Sequence, residues 1–161
     1  MDETRGRKPT RLKGYDYSTP GTYFVTICTF HRECLFGEVD GDKIQLNPIG
    51  KLVEKIWFGL PRQFLHIKAD HFVVMPNHVH GLIEIMPNEI KSRHGLSDIM
   101  NGYKSRTTRL VNRIRDTKGV PLWQRSFYDR IIRDEKQLLT VIEYIRQNPS
   151  RWMEDEENIW K

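Results

Sequence analysis

The amino-acid sequence predicts an α+β fold, namely a ferredoxin-like split β-α-β arrangement with an antiparallel sheet and helices on one face. Two observations predict this class. Runs rich in β-branched and aromatic residues alternate with segments whose apolar residues recur every three or four positions. The order along the chain is strand, helix, strand, strand, helix, strand, helix, without an internal repeat. With 161 residues, the chain has the length of one domain with a core of its own.

The first half of the chain alternates strands with a single helix. Residues 22–29 (TYFVTICT) are typical of a central strand, and residues 36–47 of a loop or hairpin that turns at 40–42. A helix is predicted over 48–60, because its apolar residues follow helical spacing and Pro48 suits a first turn. Two strand-like runs, 71–75 and 78–85, are separated only by Pro76 and Asn77, which predicts an antiparallel hairpin.

The second half predicts helix, strand and helix. Residues 97–115 have an apolar stripe at helical spacing, and residues 122–133 read as a loop that leads into a strand. The last helix spans 135–148 and is ended by Pro149. We expect it to turn Leu138, Leu139, Ile142 and Ile145 toward the core.

Charge divides the chain into three parts. Lys and Arg number 26 against 21 Asp and Glu, a net charge of +5. Residues 1–20 form a predicted basic arm, which is either a solvated tail or a segment that contacts phosphates. Residues 21–152 form the folded domain. Residues 153–161 form an acidic tail that either occludes the site or is solvated, and we favour a solvated tail.

Several classes of protein are excluded by composition. No apolar run approaches the roughly 20 residues of a membrane span, and the charged start of the chain does not resemble a secretory signal. The two cysteines, Cys28 and Cys34, are too few to staple such a domain and lack the spacing of a zinc site. We therefore expect free thiols in a reducing compartment, and a cytoplasmic protein.

The first candidate for chemistry is a pair of histidines on a predicted strand. His78 and His80 are two positions apart, so their side chains point to the same face of the sheet. Two imidazoles so placed can bind one metal ion. A pair of partly buried histidines hydrogen-bonded to neighbours has the same spacing, and spacing alone leaves both interpretations open.

A second candidate lies on the last helix. Tyr144 and Asn148 are four residues apart and therefore share one edge of that helix. A tyrosine is a possible nucleophile on a phosphodiester when a divalent cation offsets the phosphoryl charge. Two imidazoles and an amide oxygen suit Mg²⁺ or, better, Mn²⁺. The alternative is a surface tyrosine and an asparagine that ends the helix.

Three segments together resemble the REP-associated tyrosine transposases of bacteria, which belong to the single-tyrosine HUH transposase superfamily and have an IS200-like transposase domain. The segments are LKGYDYSTPGTYFVTICT, HFVVMPNHVHGLIEI and LWQRSFYDRIIRDEKQLLTVIEYIRQNP. With the helices between them they cover about residues 11–152. The resemblance implies metal-dependent nicking and joining of single-stranded DNA, commonly near hairpins, through a 5′-phosphotyrosine intermediate.

The resemblance also implies a role for particular residues. Tyr144 on the C-terminal helix would be the nucleophile, and His78, His80 and Asn148 would bind the metal ion. Tyr128 is interpreted as a strand aromatic near the site, not as the nucleophile. The basic residues we expect to contact DNA are Arg125, Arg130, Arg133, Lys104, Arg11 and Lys13.

Two other functions stay open beside this one. A non-catalytic nucleic-acid-binding module of the same fold would need no nucleophile, although it would lack the aromatic pattern of RNA-binding sheets. A metal-dependent phosphodiesterase that uses water would need the histidines but not Tyr144. The expected partner is single-stranded or hairpin DNA, and the protein is expected to act as a monomer or homodimer.

Overall fold

A computed structural model of the protein describes residues 14–87 and 94–155. Within these ranges it contains the strands β1 (Gly21–Cys28), β2 (Gly37–Asp40), β3 (Lys43–Leu46), β4 (Ile67–Lys68), β5 (Phe72–Met75), β6 (His78–Ile85) and β7 (Tyr128–Ile132). The α-helices are α1 (Pro48–Phe58), α2 (Leu60–Gln63), α3 (Leu96–Ile114) and α4 (Glu135–Gln147). Short 3₁₀ turns occupy Phe30–Arg32 and Pro149–Glu154. Among the described residues, no helix is long and apolar enough to cross a membrane.

The sheet is antiparallel and mixed with helices, which confirms the predicted α+β class. Its strands are ordered β4-β6-β1-β7, and β5 pairs with β6 beside β4. The hairpin predicted around Pro76 and Asn77 is β5–β6, and the hairpin predicted within 36–47 is β2–β3. The strand β7 ends the order, so within residues 14–87 and 94–155 one side of it has no neighbouring strand of this sheet.

The larger core lies between one face of the sheet and the helices α1 and α3. Tyr23, Val25 and Ile27 alternate along β1 and are fully buried on this face. Trp57 of α1 lies directly over Gly81 of β6, where a side chain would collide with the indole ring. The glycine is thus required by the close approach of α1 to the sheet.

Helix α4 corrects the prediction that all helices lie on one face. Its buried residues Val141 and Ile145 pack on Leu82, and Phe24 joins the same cluster. Side chains alternate between the two faces along a strand, so Leu82 and Phe24 point away from α1 and α3, to the face opposite that of Tyr23 and Val25. The sheet therefore has helices on both faces. Leu139, expected in the core, is 59% exposed, because the stripe that meets the sheet includes Val141 instead.

The predicted arm and tail are described only in part. Residues 1–13, including Arg11 and Lys13, lie outside the described residues. Tyr15 and Tyr17 lie against the core residue Tyr23, with ring centroids 6.3 Å and 5.9 Å from it. The chain therefore packs on the domain before the predicted boundary at residue 21. The structure describes the tail as far as Asp155.

Candidate metal and tyrosine site

The pairing of β6 with β1 brings both histidines into the middle of the sheet. His80 lies opposite Thr26 and His78 opposite Cys28. Both imidazoles are buried, with 0% and 4% of His78 and His80 exposed. Burial lowers the pKa of His80 well below its ordinary value, and the proximity of His78 lowers it further, whereas the Asp155 carboxylate acts in the opposite direction. His80 is therefore the neutral imidazole that a metal ion requires.

Hydrogen bonds orient both rings. His78 Nδ1 is 2.9 Å from Asn77 Oδ1, and the Asn77 amide nitrogen donates to the Arg32 carbonyl. Because Asn77 Oδ1 can only accept, His78 Nδ1 donates to it, which leaves His78 Nε2 as the atom that faces the site. His80 Nδ1 is 2.7 Å from the Thr26 hydroxyl, which can accept or donate. Both Nε2 atoms are thus directed to the same place, 3.0 Å apart.

This arrangement fits a divalent cation. Two ligand atoms at about 2.1 Å from an octahedral ion, at a right angle to each other, lie about 3.0 Å apart. The hydrogen bonds at Nδ1 are the outer contacts that metal-binding imidazoles usually make. With the Thr26 hydroxyl accepting from His80 Nδ1, both Nε2 lone pairs are available to one ion.

An acidic residue from the tail joins the histidines, contrary to the expectation of a solvated tail. Asp155 Oδ2 lies 3.4 Å from His78 Nε2. A ligand atom from each of His78, His80 and Asp155 lies within 4.8 Å of the other two, a spacing that one metal ion can bridge. The 3₁₀ turn after α4 contains the buried Trp152, whose ring stacks near His78 with centroids 6.1 Å apart.

Tyr144 stands beside the histidines. Its ring centroid is 5.3 Å from that of His80 and 6.0 Å from that of Phe24. The packing of α4 on this face of the sheet sets that distance. The side chain is 38% exposed, so the tyrosine is held by ring contacts and still faces solvent.

Asn148 is brought to the same place by one turn of helix. It is 2% exposed, and its Oδ1 atom is buried without a hydrogen-bond partner among the described residues. A buried amide oxygen without a donor costs free energy of about 1–3 kcal/mol. A cation at the site would satisfy it. The residue also occupies the C-cap position of α4, as the alternative interpretation of Asn148 predicts.

These groups line one open cleft of about 640 Å³. The cleft contains side chains of His80, Tyr144, Asn148 and Asp155, and its other walls include Thr26, Tyr128, Glu154 and two arginines, Arg32 and Arg151. His31 and Arg32 both have left-handed backbone conformations, with φ of 55°. Such a conformation is costly for residues other than glycine, and the Asn77 contact to the Arg32 carbonyl helps to hold it.

The residues expected to contact DNA lie in different places. Arg130 lies beside Tyr144 in a cavity that adjoins the cleft. Lys104 and Arg125 line a separate groove between α3 and residues 121–125. The Lys104 ammonium donates to the carbonyls of residues 124, 125 and 126, so it holds that segment in place. Arg133, at the far end of β7, lines neither the cleft nor the groove.

Sequence reasoning missed several residues of the site. Asp155 stands in an acidic run that the sequence does show, but nothing in the run singles it out. Thr26 is found only through the register of β1 against β6. Arg32 is found only through its backbone conformation and its place in the cleft.

Comparisons with known proteins identify a family and a relative. The family described as "Transposase IS200 like" matches residues 49–148. An uncharacterized protein of Haemophilus influenzae is 36% identical over 168 residues, which is 93% of this chain and 92% of the relative. The chain is thus similar to this relative over nearly the whole length of both.

Two solved structures share the fold. A REP-associated tyrosine transposase bound to a REP hairpin superposes with a TM-score of 0.62 at 20% identity, over 88% of this chain and 73% of that one. A protein of Deinococcus radiodurans R1 assigned as a transposase superposes with a TM-score of 0.54 at 18% identity, over 84% of this chain and 94% of that one. At these identities the two similarities concern the fold.

Proposed function

The chain belongs to the IS200-like transposase family, and we propose that it nicks and rejoins single-stranded DNA through a covalent bond to Tyr144 in a metal-dependent reaction. One observation carries the proposal. The Tyr144 ring lies 5.3 Å from the ring of His80, whose Nε2 atom faces that of His78. A tyrosine beside a pair of converging imidazole lone pairs is suited to attack a phosphate whose charge a cation offsets.

The metal would be held by His78, His80 and Asn148, as the sequence predicts, with Asp155 as a further ligand. Mn²⁺ or Mg²⁺ fits this mixture of imidazole nitrogen and oxygen donors, and the imidazoles favour Mn²⁺. Such an ion supplies Lewis-acid stabilisation of the phosphoryl charge. The buried Oδ1 atom of Asn148 supports this ligand set.

Tyr144 would perform the covalent step. A free phenol is largely protonated at neutral pH, and a cation bound beside it would favour the phenolate. The phenolate oxygen forms a bond to phosphorus, and the bond from phosphorus to the 3′ oxygen breaks. The phenolic proton leaves to solvent and the released 3′ oxygen takes up a proton. The DNA end retains a 5′ phosphate on Tyr144, and attack by a 3′ hydroxyl reverses the step without a nucleotide cofactor.

The proposed substrate is single-stranded DNA next to a hairpin. The REP-associated transposase of similar fold is bound to a REP hairpin, which supports a hairpin as the partner here. Arg32, Arg130 and Arg151 line the two cavities at Tyr144, where their charges would meet phosphates. We propose that Arg125, Arg133 and the arm of residues 1–20, with Arg11 and Lys13, add further contacts to the DNA, in a monomer or a homodimer.

A covalent-trapping assay tests the proposal. The protein is incubated with labelled hairpin oligonucleotides from its own genome, with Mn²⁺ or with EDTA, and run on a denaturing gel. We expect a metal-dependent protein–DNA adduct that is lost in Tyr144→Phe and retained in Tyr128→Phe, the matched control from the same cleft.

The other outcomes identify the alternatives. Cleavage without an adduct, unchanged in Tyr144→Phe, would identify a phosphodiesterase that uses water. Binding that is insensitive to metal, with neither cleavage nor adduct on any oligonucleotide, would identify a DNA-binding module. A histidine variant, His78→Ala, separates these two, because only the phosphodiesterase requires the metal site.

A further inference from the structure

We infer that a second cavity beside Tyr144, about 330 Å³ in volume, binds the nucleobase of a nucleotide next to the scissile phosphate, with Tyr128 as the stacking side chain. The inference rests on the proposed function, because it needs a single-stranded substrate at Tyr144. It adds a site of specificity to a reaction whose chemistry occurs in the neighbouring cleft.

The register of the edge strand places the cavity. In the pairing of β7 with β1, Tyr128 lies opposite Thr26 and Arg130 opposite Phe24. Paired residues of antiparallel strands point to the same face, so Tyr128 and Arg130 stand on the face that α4 covers. The cavity lies in the angle between this face and α4, toward the side of the sheet that ends with β7.

The lining matches the chemistry of a nucleobase. Phe24 and Val141 contribute apolar side chains to the lining, and Tyr128 and Tyr144 contribute aromatic rings. Arg130, also in the lining, offers guanidinium donors. Thr140 donates its hydroxyl proton to the Lys136 carbonyl, which leaves the hydroxyl oxygen as an acceptor. An unpaired base has two apolar faces and a polar edge, and proteins recognise it by stacking and by hydrogen bonds to that edge.

The cavity is joined to the cleft in a way that suits a nucleotide. The two share Thr26, Tyr128 and Tyr144 as lining residues. A phosphate at the Tyr144 hydroxyl therefore brings the base of an adjoining nucleotide to the mouth of the cavity. Tyr128 is 54% exposed, so its ring is accessible to a base, and stacking on a base would cover it.

The test measures whether Tyr128 interacts with one particular base. A hairpin oligonucleotide carries 2-aminopurine at successive positions of its single-stranded flank, and binding is measured in EDTA to prevent cleavage. We expect fluorescence quenching at one position next to the cleavage site. Tyr128→Ala should abolish the quenching and weaken binding by about tenfold, whereas Tyr128→Phe keeps both. Phe58→Ala, an exposed aromatic on the opposite face, is the control.

An abasic nucleotide at the same position completes the comparison. On that strand, wild type and Tyr128→Ala should bind equally, because the stacking partner is gone. If Tyr128→Ala weakens the binding of the intact and the abasic oligonucleotide equally, or changes the binding of neither, the inference is overturned. The adduct assay is evaluated separately. If an adduct forms but the effect of Tyr128→Ala does not depend on the base, the nucleobase site alone is rejected. If the effect depends on the base but no adduct forms, the nucleobase site is supported and the proposed chemistry is rejected.

Discussion

His78 Nε2 and His80 Nε2 lie 3.0 Å apart in the buried centre of the sheet. Asn77 Oδ1 accepts from His78 Nδ1, which leaves His78 Nε2 as the atom that faces the site. When the Thr26 hydroxyl accepts from His80 Nδ1, the lone pair of His80 Nε2 is directed to the same place.

Removal of the Thr26 hydroxyl should weaken metal binding. In Thr26→Val the His80 ring loses its contact at Nδ1, and we expect the affinity for Mn²⁺ to fall by about 10- to 100-fold. Titration calorimetry measures the change. Thr22→Val, on the same strand and away from the site, is the control and should bind as wild type does. Unchanged Mn²⁺ affinity in Thr26→Val would show that the hydroxyl does not orient the ligand.

Lys104 and Arg125 should behave differently although they line one groove. The Lys104 ammonium is 2.7 Å from the Gln124 carbonyl and 3.1 Å from that of Arg125. Lys104→Met should therefore lower the free energy of unfolding by about 1.5–3 kcal/mol, measured with urea. Arg125→Gln should leave stability unchanged. It should reduce the slope of the logarithm of the DNA-binding constant against the logarithm of salt concentration by about one. The reverse pattern would make Lys104 the phosphate contact.

A side chain at residue 81 should destabilise the fold. The added Cβ of Gly81→Ala would overlap the Trp57 indole, which Phe72 holds by stacking at 4.4 Å. Overpacking of this kind costs about 1–3 kcal/mol, so thermal unfolding should begin at a lower temperature. Gly102→Ala in α3 meets only ordinary contacts and should stabilise the helix by up to about 1 kcal/mol. A neutral Gly81→Ala would mean that α1 moves away at no cost.

Stability should fall at alkaline pH because of a buried tyrosine. Burial raises the pKa of Tyr103 well above its ordinary value, and the charge of Glu54 adds to the effect. The unfolded chain ionises this phenol near pH 10, whereas the folded chain keeps it neutral. The contribution of Tyr103 to the free energy of unfolding is therefore complete below about pH 10, and above that pH it falls by about 1.4 kcal/mol per pH unit.

Urea unfolding between about pH 9 and pH 11 measures this dependence. The free energy of unfolding of Tyr103→Phe should decline less steeply with pH, although this variant also loses the hydrogen bond to the Val53 carbonyl. Tyr128→Phe changes an exposed phenol and should decline as wild type does. An identical slope in Tyr103→Phe would show that this group does not set the alkaline limit.

Local patterns were enough to predict most elements. Alternation in 78–85 predicted β6 and placed His78 and His80 on one face, and helical spacing predicted α1, α3 and α4. The placement of α4 was not predictable in this way. Its apolar stripe fits either face of a sheet, and only the positions of the other helices decide which face remains to be covered.

The sequence by itself determined the class of fold, the shared face of the histidines and the shared edge of Tyr144 and Asn148. These features follow from the periodic direction of side chains along a strand and a helix, which a stretch of a few residues is enough to define. Only the tertiary structure decided that the histidine face of β6 meets the edge of α4 with Tyr144 and Asn148. It also decided that Thr26 and Asn77 orient the imidazoles and that Asp155 lies against His78. Such contacts join residues far apart in the chain, and they depend on strand register and packing, which no local pattern records.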